Sequence, residues 1–508
     1  MSQQTAIRSG TVRSKGLAGG RLGLTAAVVI GISTIAPAYV LTSTLGPTVQ
    51  AVGTHLPAIF LAGFVPMFLV ALGYRELNTD SPDSGTTFTW VSKAFGPMAG
   101  WLGGWGLLAA NIIVLSNLAG VAVDFFYLFL AQLTGTPAIA DLAADKVVNV
   151  ATCLVFVALA VWISCRGIHT TRAVQYLLVA FQLGVLAWFI AGALGRIGTV
   201  AGTAPLAFSW EWFNPLGIGS FSAFATGLSL SIFAFWGWDV CLTMNEETRN
   251  GGRTSGVAAA VTAVVVLAIY LAGSIATLMF AGTGDTGLGL TNPEHAENIF
   301  TAIAGPVMGP FAILLSLAVL SSCAASLQST MISPARSLLA MGYYRALPAR
   351  FARVHPRLQS PVFATVVSGA VSTGFYALMR FASENVLNDT IMALGLMICF
   401  YYGLTALACV WYFRRTAFTS LRHFLLRFLF PLAGGLGLAV VFIQTAVDSW
   451  DPAFGSGSEV FGVGLVFVIG VGIIGLGVAA MLLMRRIRPE FFRGQVLAKD
   501  TPALVVPG

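Results

Sequence analysis

In a chain where 9% of residues are charged, an acid inside a long apolar run is the first place to look for chemistry. Asp239 closes such a run, Phe233-Ala-Phe-Trp-Gly-Trp-Asp239. An ionised carboxylate there costs at least ~3 kcal/mol on insertion scales, so it must face a cavity or a partner. It can contact an ammonium group, carry a proton, or cap a helix that resumes after Gly237 by accepting backbone N–H groups. These readings stay open. Phe233, six residues earlier, and Trp236 and Trp238, either side of Gly237, can cover a ligand or pack between helices. A second run, Gly31-Ile-Ser33-Thr34-Ile35-Ala36-Pro37, is interrupted by a proline, which removes one helical hydrogen bond. Ser33 and Thr34 add hydroxyls beside the peptide groups of Ile35 and Ala36.

Other chemistries lack their residues. His55, His169, His295, His355 and His423 are scattered through loops and interfaces, so no metal or catalytic cluster is expected. No paired acids and no Ser/His arrangement fall within the apolar runs, which argues against an intramembrane enzyme. A TVGYG-like filter of a potassium channel is also missing. Cys153, Cys165, Cys241, Cys323, Cys399 and Cys409 all lie in apolar stretches without zinc or haem spacing, and read as small buried hydrophobes.

The elements that must hold these residues are membrane spans. Hydrophobic residues make up 57% of the 508, and mean hydropathy is +0.84. A soluble domain carries roughly a quarter charged residues, so lipid is the expected solvent. Twelve stretches reach the ~20 residues needed to cross a bilayer: 24–46, 56–77, 98–131, 147–165, 174–193, 220–244, 256–281, 306–334, 362–381, 391–413, 424–447 and 460–484. With the N-terminus inside, 24 of the 27 Lys and Arg fall in cytoplasmic segments, leaving out Lys146, Arg196 and Arg380. Acids including Glu211, Asp285, Glu297, Glu384, Asp389 and Asp451 collect outside. Both termini are therefore expected in the cytoplasm. The net charge of +7 belongs to that bias and not to nucleic acid. The chain divides into an N-terminal tail (1–20), spans one to ten (21–415), spans eleven and twelve (416–488), and a C-terminal tail (489–508). No cleavable signal is evident in the first twenty residues.

The interrupted spans are the first and the sixth, five apart and opposite in direction. That pattern predicts two inverted five-helix repeats with a ligand site at their midplane breaks. Unwound backbone is tolerated only when buried in protein or lining a cavity. A ligand with an ammonium and a carboxylate can satisfy the freed carbonyls and helix N-termini.

The run Ile232-Phe-Ala-Phe-Trp-Gly-Trp-Asp239, followed by Asn245-Glu-Glu-Thr-Arg-Asn250, resembles the sixth helix of the amino acid–polyamine–organocation permeases. Further matches are Ser333-Pro-Ala-Arg336 to Ser360-Pro361, like the family's eighth helix and following loop, and Gly167-Ile-His-Thr-Thr-Arg172 before span five. The resemblance runs from about Leu24 to Arg415. It implies an all-α five-plus-five inverted repeat, as in sodium-coupled leucine transporters, with two helices appended. It also implies a secondary transporter of a substrate with a primary amine, a neutral or small amino acid first, a cationic amino acid or polyamine as the alternative. No cofactor is implied beyond H⁺ or Na⁺ as coupling ion, with H⁺ preferred. The resemblance places Ser33, Thr34, Ile35, Ala36, Phe233, Trp236, Gly237 and Asp239 at the substrate. Ile35-Ala36-Pro37 replaces the family's usual Gly-Ser-Gly, and Pro37 offers no N–H to a carboxylate. Gln182 stands where several relatives have a lysine, and it cannot titrate. Ser321, Ser322 and Ser326 are sodium-ligand candidates or small packing residues. Phe233, Trp238, Glu246 and Glu247 are gate candidates, the two acids facing Arg345 or Arg350. Asp124, near the outer end of span three, reads as a solvated helix end. The implied location is the plasma membrane, and Arg outnumbering Lys 23 to 4 fits a bacterial inner membrane.

Overall fold

The computed structural model describes residues 14–294, 299–382, 386–502 and 504, with backbone alone at 168–171 and 386–388. Residues 1–13, His295, Glu297 and Glu384 lie outside the described residues, as does the His169 side chain.

Helices form because apolar side chains seek lipid while each backbone N–H and C=O must bond within its own segment. In chain order they begin with α1 (Leu24–Ile35), α2 (Pro37–Val52), α3 (Leu56–Asp80), α4 (Thr87–Phe95) and α5 (Pro97–Thr134). Then come α6 (Lys146–Cys165), α7 (Ile168–Gly195), α8 (Phe221–Ala234), α9 (Val240–Thr243) and α10 (Gly251–Ala281). The next are α11 (Ile299–Met308), α12 (Ile313–Thr330), α13 (Ile332–Tyr343), α14 (Val362–Ala382) and α15 (Val386–Tyr412). Last are α16 (Leu421–Phe424), α17 (Phe430–Asp448), α18 (Leu465–Ile487) and α19 (Pro489–Phe492).

Among the described residues, 10 helical stretches are long and apolar enough to cross a membrane. Leu24–Asp80 counts once and contains α1, α2 and α3, so it covers the first two expected spans. The sixth expected span is split into α8 and α9, each short. Leu177, Leu378, Val440 and Leu483 are exposed, as on a surface solvated by lipid. The chain is a multi-pass membrane protein.

Two expected boundaries move. The segment 306–334 is not one helix: α12 carries the apolar part, and α13 starts after Met331. The last span begins at Leu465, because Glu459–Val460 pairs antiparallel with Val463–Gly464 across a turn whose Phe461 and Gly462 have positive φ. Sequence reading missed α4, which is too short and polar for a hydropathy signal.

The core gathers around the interrupted helices. α10 packs along α3 and α1, α12 along α5 and α7, and α15 along α5 and α17. The six cysteines are free, and all but Cys165 are buried.

Candidate functional site

Both expected breaks exist, and they face each other. α1 ends at Ile35, Ala36 turns left-handed (φ 57°, ψ 64°), and Pro37 opens α2. Proline suits that first position, since its missing N–H would have no intrahelical partner there. On the other chain segment α8 stops at Ala234 and α9 starts at Val240, with Gly237 at φ 108° between them. A Cβ on Gly237 would lie 3.0 Å from Thr34 Cγ2 and 3.4 Å from the Ile35 nitrogen. Only a bare backbone fits here without displacing the other break.

Side chains from α12 complete the α1 break. Ser326 Oγ donates to the Thr34 carbonyl at 2.8 Å, Ser329 Oγ to Ser33 Oγ at 3.3 Å, and the Tyr39 N–H donates to Ser322 Oγ at 3.4 Å. Ser322 and Ser326 therefore meet the break. Ser321 does not; its hydroxyl donates to the Ala318 carbonyl of its own helix. Gln182 is fully buried on α7, and neither of its amide atoms has a hydrogen-bond partner among the described residues.

Asp239 is buried and precedes α9, yet its side chain makes no cap hydrogen bond. The carboxylate turns to α15. Tyr401 Oη donates to Asp239 Oδ2 at 3.4 Å and accepts from Trp236 Nε1 at 2.6 Å. Among the described residues no Lys or Arg pairs with Asp239. Trp238 stacks on Tyr402 with ring centroids 4.8 Å apart and meets Tyr74 edge-on at 5.1 Å. Phe233 touches Tyr39 edge-to-face at 6.4 Å. The acid thus sits in an aromatic surround drawn from α3, α15 and the break after α8. Tyr401→Phe strands the Trp236 indole donor and removes a donor from Asp239. An orphaned buried group costs about 1–3 kcal/mol, so the melting temperature of the purified protein should fall measurably in Tyr401→Phe. Tyr402→Phe, whose hydroxyl has no hydrogen-bond partner among the described residues, should lower it less.

Of the gate candidates, Phe233 and Trp238 belong to this surround, while Glu246 and Glu247 lie apart from it, where the segment from Lys15 to Leu22 packs. Glu246 and Glu247 are buried, and neither pairs with Arg345 or Arg350 as expected. Glu246 binds Lys15 at 2.7 Å, and Lys15 also reaches Asp83 Oδ1 at 2.8 Å. Tyr344 Oη donates to Asp83 Oδ2 at 2.6 Å. Arg336 grips Glu247 with Nε and Nη2 at 2.9 and 3.0 Å. The N–H groups of Arg21 and Leu22 donate to the Glu247 carbonyl, and Arg249 N–H to that of Leu22. This holds the segment from Lys15 to Leu22 against the end of span six. Arg345 turns away to Glu490 of the C-terminal tail, its backbone left-handed at φ 61°.

From the sequence, the pair Tyr401-Tyr402 reads as bordering the site or packing, whereas Lys15, Asp83, Arg336 and Tyr344 were not singled out as gate or site residues. Their signal was the scarcity of charge itself, since Lys15 and Lys93 are two of four lysines. Asp124 is half-buried. His55, His355 and His423 take no part in either cluster.

A profile of the amino acid permease family matches residues 22–474. The chain belongs to that family. It is a permease and not an enzyme. Relatives include the branched-chain amino acid permease BcaP of Bacillus subtilis, 26% identical over 69% of this chain and 71% of its own length. The vacuolar cationic amino acid transporter 4 of Arabidopsis thaliana is 24% identical over 72% of this chain, which spans 60% of that longer protein. The low-affinity putrescine importer PlaP of Escherichia coli is 22% identical over 84% of this chain and 89% of its own length. The matched region of the permease contains both helix breaks and Asp239.

Proposed function

We propose that this permease carries a small solute with a primary amine across the plasma membrane by alternating access, a neutral or small amino acid being the first candidate. The observation that carries the reading is the contact of Gly237 with Thr34 and Ile35. Two broken helices that touch at mid-length offer unwound backbone to a ligand from both sides. We read twelve crossings, with spans one to ten (21–415) forming two inverted five-helix repeats and α17 and α18 appended. The bias of 24 in 27 basic residues puts both termini in the cytoplasm, and a bacterial inner membrane fits the composition. The ion cluster of Lys15, Asp83 and Glu246 then closes the cytoplasmic face.

Asp239 favours a proton as the coupling ion. An ionised carboxylate buried without a cation is costly, and a proton or a cationic ligand neutralises it. Sodium is the alternative, held by Ser322, Ser326 and the freed carbonyls near Thr34. A cationic amino acid or polyamine is the second reading. The same unpaired carboxylate under Trp236 and Tyr401 supports it, since an ammonium group is drawn to acids and to aromatic faces.

A thermal-shift screen of the purified permease against amino acids and amines tests the substrate class. A true ligand at a hundred times its dissociation constant stabilises the folded state by about 2.7 kcal/mol. Absence of a shift with every amino acid and amine sinks this reading. Asp239→Asn should abolish accumulation driven by a pH gradient in proteoliposomes while leaving exchange of a neutral substrate measurable. If binding is lost only for cationic ligands, Asp239 is a recognition residue. Uptake that requires sodium and ignores the pH gradient removes the proton assignment.

A further inference from the structure

A second polar feature lies away from both clusters, where the last span meets the C-terminal tail. The loop after α13 and the end of α18 enclose a cleft of about 270 Å³, lined among others by Arg345, Leu347, Ala349, Ile487, Arg488 and Glu490. Arg345 is ion-paired to Glu490. Arg488 is not; no carboxylate pairs with it, and its Nε is buried without a hydrogen-bond partner among the described residues. Buried donors are nearly always satisfied, and a guanidinium that keeps its fork free suits a planar or tetrahedral oxyanion. Arg485 and Arg486 in the last turn of α18 add exposed positive charge next to it.

The apolar neighbours decide which oxyanion. Leu483 and Ile487, four residues apart on one face of α18, are each more than half exposed, and Ile487 also lines the cleft, so an outward-facing aliphatic strip runs into the basic cleft. A free anion has no use for that strip, whereas an amphiphile matches both parts. We propose that the cleft binds the phosphate of an anionic phospholipid headgroup, with Arg488 and Arg345 on the phosphate and the acyl chains along Leu483 and Ile487. The leaflet rests on the cytoplasmic orientation given above; the site itself does not. By anchoring the turn from Ile487 to Glu490, the lipid would fix the start of the tail whose Phe491 packs on Phe88 beside Tyr344.

The test uses the full-length permease in detergent, where orientation plays no part. Dioleoyl phosphatidylglycerol, dioleoyl phosphatidylcholine and inorganic phosphate are titrated while melting temperature and lipid-bound mass are followed. Phosphatidylglycerol should give a saturable upward shift and phosphatidylcholine none. Arg488→Gln should weaken that response by about tenfold, the loss of one or two charge-assisted hydrogen bonds. Arg485→Gln, on the same helix end but outside the cleft lining, should change it less than about twofold. Equal effects of the two substitutions would mean diffuse charge and overturn the site. A shift with inorganic phosphate at matching concentration overturns the lipid assignment in favour of a free anion. Failure of the amino acid screen leaves this result untouched.

Discussion

Replacing Gly237 with alanine should lower uptake into proteoliposomes by more than tenfold while the protein still inserts and folds. Two costs add. A φ of 108° lies in a region that a residue with a Cβ occupies at about 1–3 kcal/mol. The new methyl group would also press on Thr34 Cγ2 at 3.0 Å and approach the Ile35 nitrogen at 3.4 Å. Both costs fall on the state in which the breaks touch, and a penalty of ~2 kcal/mol on that state is more than a factor of ten in its population. The melting temperature should fall only modestly, because the remaining helix contacts are unchanged. Gly219→Ala is the control: a Cβ there meets nothing within 4 Å, and uptake should stay within about twofold. Equal activity in both variants would show that the breaks need not touch, which removes the observation under the proposed site.

The breaks themselves were legible because each carries a local mark. Pro37 cannot continue a helix with full bonding, and Gly237 precedes an acid where lipid would otherwise be expected. The left-handed turn falls on Ala36, a residue with no preference for it, so the sequence pointed one position away from where the chain turns. Hydropathy located the membrane helices for the same reason, being a sum over adjacent residues. It misplaced the start of the last span, since Val460–Gly464 is apolar and yet forms a tight β turn through Phe461 and Gly462. What could not be read was pairing across the chain. Tyr401 reaches Asp239 from 162 positions away, and Lys15 reaches Glu246 from 231. Tyr401-Tyr402 could border the site or pack, and one of its two hydroxyls joins Trp236 to the acid. Glu246 and Glu247 were recognised as gate candidates, but their partners were sought among the arginines nearest in type and loop position. The structure supplies Lys15 and Arg336 because the N-terminal segment and α13 both lie against the end of α9.

Lys15→Met should open the face against which the segment from Lys15 to Leu22 packs. Lys15 is buried among Asp83, Glu246, Ser84 and the rings of Tyr343 and Tyr344. Removing one member of a buried ion cluster costs about 3–5 kcal/mol, mostly by leaving the opposite charge unpaired, and here two carboxylates would be left. Methionine keeps the length and apolar stem, so the loss is of charge and hydrogen bonds rather than of volume. Cys241 is the reporter: it is buried between Asp239 and Glu246 in the chain, its thiol on the Ala27 carbonyl at 3.3 Å. In a variant with the other cysteines replaced, its alkylation from that face should accelerate by more than tenfold in Lys15→Met. Neutralising the acids as well, in Lys15→Met/Asp83→Asn/Glu246→Gln, should slow it again, because no charge is then orphaned. A mere packing defect would not be rescued in that way. The pH dependence has a definite sign. Burial works against the Lys15 ammonium, but Asp83 and Glu246 outweigh it and raise its pKa. Burial opposes the Asp83 carboxylate too, and the charge and hydrogen bond of Lys15 outweigh it and lower that pKa. The stabilisation is therefore lost only as pH falls below the carboxylate range or rises beyond the ammonium range, and is complete between about pH 4 and pH 10. Cys241 labelling, corrected for the thiolate fraction of the reagent-accessible thiol, should be flat from pH 5 to 8 in the unsubstituted cluster. If Lys15→Met labels no faster than its parent, the N-terminal segment does not hold this face closed.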